Sequence, residues 1–251
     1  MNTVKEFGKL RPVKVENTPL MRIFDFAQRL KAAAPDAVLG VPDIQSPLDI
    51  AALVWEKENF FMAMYDEPEA VKDLISMANE LLTEFLDLWF KTFGGEFISH
   101  CFDYYMPYGI TLSEDEVGSI SADAFREFSY PTLRELSKRY GRIGIHCCAN
   151  ARHQWEVFKS IPNLVVLNIV QPPEILKAAS SYFAGRVGQD KGAVGQLFWW
   201  DKNEYHDYRT QAILAATARS KTEALEQLKK LRDLAAEREK QFTEAAAPHT
   251  A

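Results

Sequence analysis

Strand-length apolar runs alternate with amphipathic helical segments along this chain, and this alternation limits its fold more than any other feature. Six runs are rich in Val, Ile, Leu or Phe and have almost no polar residues at alternate positions. Such runs are typical of strands buried on both faces of a parallel sheet. The sequence predicts strands over 37–42, 96–102, 142–148, 164–169, 193–199 and 211–217.

Segments with the 3.6-residue period of an amphipathic helix separate these runs. They predict helices over 19–33, 67–93, 121–140 and 220–241. Strands that alternate with helices are joined by right-handed crossovers in a parallel sheet, so we predict an α/β fold. An open doubly wound sheet and a (β/α)8 barrel both satisfy the pattern. Because no Gly-x-Gly-x-x-Gly follows a strand, the dinucleotide-binding form of the open sheet is disfavoured.

Charge and cysteine content exclude several classes of protein. The chain has 29 basic and 35 acidic side chains and a net charge of −6. Without clusters of Lys and Arg, it is not expected to bind nucleic acid. No apolar run reaches the length of a membrane span, and the N-terminal segment lacks the apolar core of a secretion signal. Three Cys, two of them adjacent, do not make a disulfide framework, so we expect a cytoplasmic protein.

The predicted strand at 142–148 carries the residues best suited to chemistry. Because side chains alternate between the faces of a strand, His146 and Cys148 share one face, whereas Cys147 lies on the other, which we expect to pack against helices. In barrels, active sites lie at the carboxyl ends of strands. Imidazole nitrogen and thiolate sulfur both bind zinc, so we predict His146 and Cys148 as metal ligands. A buried cysteine beside a hydrogen-bonded histidine is the alternative.

A second cluster lies at the end of the run 96–102. Cys101 and Asp103 would share a face, and either one completes a three-ligand zinc site with an open position. The alternatives are a small buried residue for Cys101 and a capping carboxylate for Asp103. The tyrosines that follow are expected to continue into a loop that walls an apolar pocket. We predict Cys101 as a third metal ligand and catalytic roles for Asp103 and Tyr105. The predicted substrate contacts are Tyr104, Asn150 and Asn168.

The order of several short motifs resembles the uroporphyrinogen decarboxylase superfamily. They are VPDIQSPLDIA at 41–51, YDEPE at 65–69, LSED at 112–115, the segment 120–128 followed by Pro131, and IHCCAN at 145–150, which is similar to the family's His-x-Cys-Gly-Asn. The resemblance extends from about residue 36 to residue 235. It implies a (β/α)8 TIM barrel that lacks the first strands, over residues 37–246. Residues 1–36 would be an N-terminal extension with one helix.

The resemblance implies one of two kinds of chemistry. Decarboxylases of the family remove acetate carboxyls from uroporphyrinogen III, giving coproporphyrinogen III, without a metal. Their relatives are zinc methyltransferases that pass methyl groups between corrinoid proteins and thiols, with zinc held by a His-x-Cys pair and a later Cys. His146 and Cys148 match the pair. Because no Cys follows Cys148, Cys101, Asp103 or another oxygen ligand must substitute.

Individual residues favour the methyltransferase branch. The decarboxylases' Arg-rich N-terminal segment and first-strand Asp have no counterpart, and their pocket Tyr corresponds to Leu53. A carboxylate-rich tetrapyrrole would find few basic partners besides Arg152 and Arg186. We therefore predict zinc-dependent methyl transfer between a small thiol and a methylated corrinoid on a partner protein. Uroporphyrinogen decarboxylation and a barrel without catalysis are the alternatives.

The strand count predicts something about assembly. Six strands would leave two sheet edges exposed, and exposed edges pair with other chains. Either the natural chain is longer, or residues 1–36 and a partner chain, such as the second copy in a homodimer, cover the gap.

Overall fold

The computed structural model describes residues 4–100, 104–183, 195–197 and 218–245. Its helices are α1 (Val4–Phe7), α2 (Met21–Ala33), α3 (Pro47–Val54), α4 (Lys57–Asp66), α5 (Pro68–Phe93), α6 (Ala122–Ala124), α7 (Tyr130–Tyr140), α8 (Trp155–Ser160), α9 (Pro173–Phe183) and α10 (Lys221–Ala245). A π-helical turn, Phe125–Ser129, joins α6 to α7, and 3₁₀ turns lie at Val15–Asn17, Glu116–Ser119 and Arg152–Gln154. Within the described ranges, no helix is both long and apolar enough to cross a membrane.

Four strands form a parallel sheet in the order β3-β4-β5-β6. They are β3 (Ile110–Ser113), β4 (Ile143–Cys147), β5 (Leu164–Ile169) and β6 (Gly195–Leu197), and β1 (Phe97–Ile98) pairs separately and antiparallel with β2 (Tyr105–Met106). The predicted α/β fold with a parallel sheet is confirmed. The strands of the described residues do not close into a barrel, so the complete (β/α)8 architecture stays a prediction.

The register of the sheet aligns three polar residues across neighbouring strands. Ser113 of β3 is the partner of His146 of β4, and His146 is the partner of Asn168 of β5. Residues in register on adjacent strands lie about 5 Å apart. The Ser113–His146–Asn168 row therefore crosses the sheet close to the carboxyl ends of β3, β4 and β5.

Two predicted strands are wrong in extent, and two strands, β2 and β3, were not predicted. Among the described residues of the run 96–102, the strand covers Phe97–Ile98 alone, and it pairs antiparallel with β2. The run 37–42 contributes a single bridge residue, Gly40, opposite Ile98. β2 lies in the tyrosine segment that we expected to be a loop, and β3, the neighbour of β4, lies in a segment for which no strand was predicted. A short apolar run does not by itself distinguish a strand from another buried segment. Residues 211–217 lie outside the described ranges, as does all of 193–199 except β6.

The helical predictions are confirmed with small shifts of their ends. The long helix predicted over 67–93 is α5, and it ends at Gly94, whose φ of 92° belongs to a left-handed conformation that glycine adopts without strain. Ser121 caps α6 by accepting a hydrogen bond from the backbone N–H of Ala124 at 3.1 Å. Ser220 caps α10 in the same way through Glu223 at 3.2 Å.

The N-terminal segment packs onto the rest of the protein. It holds the predicted helix, which is α2, and also the single turn α1, which the sequence did not predict. Val15, Phe24 and Ala27 are at most 3% exposed and belong to the same apolar core as the sheet. The boundary between this segment and the predicted barrel domain at residue 37 stays a prediction.

The sheet separates a packing face from a polar face at β4. Ile143, Ile145 and Cys147 are each at most 1% exposed and belong to the apolar core, as predicted for the face that Cys147 occupies. His146 is half-buried and Cys148, one residue beyond β4, is exposed. This face of β4 is therefore the accessible one, and it carries the polar side chains.

Candidate metal centre

Three side chains with metal-binding atoms meet where β3 and β4 end. The ligand atoms of Asp115, His146 and Cys148 all lie within 4.8 Å of one another. Asp115 comes two residues after β3, and Cys148 comes one residue after β4. Because neighbouring parallel strands end at the same edge of a sheet, polar residues that follow them converge there. The two predicted ligands are therefore brought together with a third residue that was not predicted as a ligand.

The donor set fits zinc. Imidazole nitrogen, thiolate sulfur and carboxylate oxygen are the three ligand types that zinc accepts in proteins, and three protein ligands leave a position open for substrate. Burial first, and then the neighbouring Asp115 carboxylate, raise the pKa of the Cys148 thiol to about 11. A bound cation reverses this effect, because it stabilises the thiolate directly. The cluster is thus chemically matched to a divalent metal and poorly suited to a free thiolate.

His146 is oriented by a hydrogen bond across the sheet. Its Nδ1 contacts the side-chain oxygen of Asn168, which is only 2% exposed. An amide oxygen accepts hydrogen bonds, so Nδ1 carries the proton and donates. The lone pair of the neutral ring is then on Nε2. Metal-bound histidines are typically held in this way by a hydrogen bond from the other nitrogen.

Asp115 is held by hydrogen bonds from two directions. Its Oδ1 accepts from the backbone N–H of Cys148 at 2.5 Å. Its own backbone N–H donates to Oδ2 of Asp49 at 2.8 Å, and the N–H of Glu116 donates to Oδ1 of the same carboxylate at 3.0 Å. Asp49 lies on α3 and is 3% exposed. The loop after β3 is therefore fastened both to α3 and to the loop after β4.

Two buried carboxyl groups lie beneath this loop. Burial raises the pKa of Asp49 to about 7, although the two backbone hydrogen bonds that it accepts act to lower the pKa. Glu114 is fully buried, and burial followed by the charge of Asp49 raises its pKa well above the ordinary value. The Ser129 hydroxyl donates to Oε2 of Glu114 at 2.8 Å, and the backbone N–H of Glu114 donates to the carbonyl of His146 at 2.8 Å. Glu114 thus ties β3 to β4 next to the cluster.

The other predicted site residues are distributed around this centre. Tyr104 is 8% exposed, and a Cβ at Gly144 would lie 2.7 Å from its hydroxyl, so the ring lies against the same face of β4 as His146. Tyr105 is 53% exposed and donates to Glu96 at 2.8 Å. Asn150 is exposed beyond β4. The catalytic role of Tyr105 and the substrate contacts of Tyr104 and Asn150 stay predictions.

The three remaining predicted site residues are Asn168, Cys101 and Asp103. Asn168 is buried and bonded to His146, and a contact between Asn168 and substrate stays a prediction. Cys101, predicted as a metal ligand, and Asp103, predicted as catalytic, lie outside the described residues. Their roles are therefore untested.

Sequence reasoning missed the carboxylates that surround the centre. Asp115 and Glu114 belong to the LSED motif at 112–115, but its strand was not predicted, so nothing placed them beside His146. Asp49 lies 66 residues before Asp115 in the chain. A usable signal did exist for Asp115, because a run of acidic residues directly follows the apolar residues of β3. Acidic side chains after a strand of a parallel sheet are candidates for a site.

The chain was compared with known proteins in three ways. The family model for uroporphyrinogen decarboxylase (URO-D) matches residues 1–197. No curated protein matches the chain. Among solved structures, a methyltransferase from Methanosarcina mazei aligns with a TM-score of 0.45 and 12% sequence identity. That alignment covers 61% of this chain and 40% of the other, so the chain spans well under half of that methyltransferase.

Proposed function

Because the chain belongs to the uroporphyrinogen decarboxylase (URO-D) family, we propose that it is a zinc-dependent methyltransferase that transfers a methyl group from a methylated corrinoid to a small thiol. The observation that carries this proposal is the meeting of Asp115, His146 and Cys148 within 4.8 Å. A metal-free decarboxylation can use an imidazole and a carboxylate for proton transfer, but it has no use for the thiol that converges with them. Methyl transfer to a thiol has a use for all three groups, because together they can hold a metal ion that keeps the acceptor as a thiolate.

Asp115, His146 and Cys148 would hold the zinc ion. When bound, zinc supplies a Lewis acid that lowers the pKa of a coordinated thiol, so that the thiol is a nucleophilic thiolate at neutral pH. Asp115 takes the place of the later Cys ligand of the family's methyltransferases. Exchange of a sulfur ligand for a carboxylate oxygen keeps the ligand count and the charge.

The surrounding residues keep these ligands in place. Asn168 accepts a hydrogen bond from Nδ1 of His146, which leaves the Nε2 lone pair available to a metal ion. Asp49 accepts two backbone N–H groups and fixes the start of the loop that carries Asp115. Since Cys148 is exposed, the thiol and the corrinoid protein approach from its side.

The overall reaction balances without a further reactant. The bond between the methyl carbon and cobalt breaks, its electron pair stays on cobalt, and cobalt is reduced by two electrons. A sulfur lone pair forms the new carbon–sulfur bond. The thiol proton is released to solvent, and the product is a thioether.

Zinc content of the purified protein tests the proposal. Mass spectrometry is expected to find about one zinc per wild-type chain, as for other three-ligand catalytic sites, and almost none in Cys148→Ser. Cys147→Ala is the matched control, because it removes the neighbouring sulfur on the opposite face and is expected to keep its zinc. A wild-type protein that stays free of zinc even after zinc is added would contradict the proposal.

A turnover assay separates the proposal from its alternatives. The zinc-loaded protein is expected to demethylate methylcobalamin in the presence of a thiol, and Cys148→Ser is expected not to do so. Consumption of uroporphyrinogen in the presence of a chelator would identify a decarboxylase instead. Zinc binding without either activity would identify a non-catalytic member of the family.

Asn168→Ala is expected to weaken zinc binding about 10- to 100-fold, the usual cost of losing the hydrogen bond behind a metal-bound histidine. Zinc affinity is measured by competition with a chelating dye. Asn79→Ala is the control, because Asn79 is also buried but lies on α5 and bonds Glu135 at 3.3 Å. If both variants bind zinc as tightly as the wild type, Asn168 does not orient His146.

A further inference from the structure

A buried histidine near the candidate metal cluster has one ring nitrogen to which no described residue forms a hydrogen bond. The side chain of His100, two residues after β1, is 7% exposed. Its Nε2 lies 3.3 Å from Oδ1 of Asp43 and 3.2 Å from the hydroxyl of Ser113. Its Nδ1 is buried, and no atom in the described part of the chain bonds it. Buried polar atoms are nearly always paired, so an unpaired one indicates a ligand that completes it.

The contacts of His100 determine what kind of ligand this is. A carboxylate such as Asp43 only accepts hydrogen bonds, so Nε2 carries the proton and donates. Gln45 donates from its side-chain amide to the same oxygen of Asp43 at 3.0 Å and keeps the carboxylate in position. In the neutral ring Nδ1 is then an acceptor. The missing partner must therefore be a hydrogen-bond donor.

His100 lies beside the proposed zinc site. The Ser113 hydroxyl, which contacts its Nε2, belongs to the residue in register with His146. Residues in register on neighbouring strands direct their side chains to the same face of the sheet, so His100, Ser113 and His146 share that face. A molecule bound at the cluster by one end would therefore extend along the face on which His100 lies.

We propose that Nδ1 of His100 positions the thiol substrate by accepting a hydrogen bond from a hydroxyl group of that substrate. This inference rests on the proposed function, which places the sulfur at the Asp115–His146–Cys148 cluster. A neutral hydroxyl fits a buried acceptor better than an ammonium group, whose burial costs far more. A carboxylate or sulfonate fits worst, because it would direct a lone pair at a lone pair. The substrate class is therefore a short hydroxythiol.

Two thiols of equal length test this assignment. The probes are 2-mercaptoethanol and ethanethiol, which differ by one hydroxyl group, and the donor in the turnover assay is methylcobalamin. Calorimetry on the zinc-loaded protein gives the ratio of their dissociation constants, and turnover gives the ratio of their kcat/KM values. Because the two thiols differ in intrinsic reactivity, the change of these ratios between variants is the quantity of interest.

His100→Ala is expected to lower the preference for 2-mercaptoethanol about tenfold in both ratios, the effect of a lost hydrogen bond to a buried group, about 1.4 kcal/mol. An unchanged preference would overturn the assignment. If the wild-type protein transfers a methyl group to neither thiol, the proposed function is overturned instead. The two failures are therefore distinguishable.

A third thiol tests the same idea without altering the protein. In 2-methoxyethanethiol the hydroxyl is replaced by an ether oxygen, which accepts hydrogen bonds but cannot donate them. Because Nδ1 of His100 is assigned as an acceptor, the wild-type protein is expected to bind 2-mercaptoethanol about tenfold more tightly than this ether, within the range for an unmade hydrogen bond to a buried group. Equal affinity for the two thiols would contradict the assigned tautomer and with it the proposal.

Discussion

Asp49→Ala is expected to lower the free energy of unfolding by about 2–4 kcal/mol, because it leaves two backbone N–H groups without their acceptor at about 1–3 kcal/mol each. These groups belong to Asp115 and Glu116 and donate to Asp49 at 2.8 and 3.0 Å. Burial of the carboxyl, which raises its pKa to about 7, costs free energy in the native protein. Asp49→Ala removes that cost, so the expected destabilisation is smaller than the sum of two full penalties. Urea denaturation of the metal-free protein measures the change.

The same substitution is expected to weaken zinc binding, because Asp115 would lose the anchor of its backbone. Asp73→Ala is the control, since Asp73 is an exposed residue of α5 and such changes usually stay within about 0.5 kcal/mol. If Asp49→Ala is as stable as this control, the two hydrogen bonds are replaced by water without cost. If stability falls but zinc affinity is retained, Asp49 supports the fold and not the ligand.

Gly118→Ala is expected to destabilise the protein by about 2–3 kcal/mol, the upper part of the range for inserting a methyl group into a packed site. An added Cβ would lie 2.5 Å from the Cβ of Ala149, far inside van der Waals contact. Neither atom belongs to a flexible side chain, so the backbone itself must move. Ala149 follows Cys148 directly, and the shift is therefore expected to separate Cys148 from Asp115.

Thermal unfolding and zinc competition measure the two effects of Gly118→Ala. Gly95→Ala is the matched control, because a Cβ at Gly95 meets no atom within 4 Å and the residue is exposed. We expect this control to keep both the melting temperature and the zinc affinity of the wild type. If the Gly118→Ala variant is as stable as the wild type and binds zinc equally well, the loops after β3 and β4 move apart without a cost in stability.

The sequence predicts those parts of the fold that local patterns determine. The strands β4 and β5 are apolar runs with one polar residue each, His146 and Asn168, and α5 has a long apolar stripe between an N-terminal Pro and a C-terminal Gly. Alternation along β4 alone separates the half-buried His146 from the buried Cys147. These residues are assigned correctly because the period of a strand fixes which face each side chain occupies.

The contacts that complete the site depend on tertiary structure and are not visible in local patterns. Asp115 approaches Cys148 only because β3 pairs with β4, and β3 is a four-residue strand in a segment rich in aromatic residues. The sequence predicts that Cys101 and Asp103 share one face of a strand, but that strand ends at Ile98. A face assignment fails where the strand itself ends, because the two-residue period no longer applies.

The Ser113–His146–Asn168 row has a consequence for how this chain tolerates insertions and deletions. Hydrogen bonds between strands define the row, so the lengths of the connecting helices and loops do not enter into it. A residue added to the segment between β3 and β4 can be absorbed on the outside of the molecule. A residue added within β4 before His146 would move every later side chain of the strand to the opposite face. An apolar side chain would then take the position of His146, and the candidate metal centre would lose a ligand.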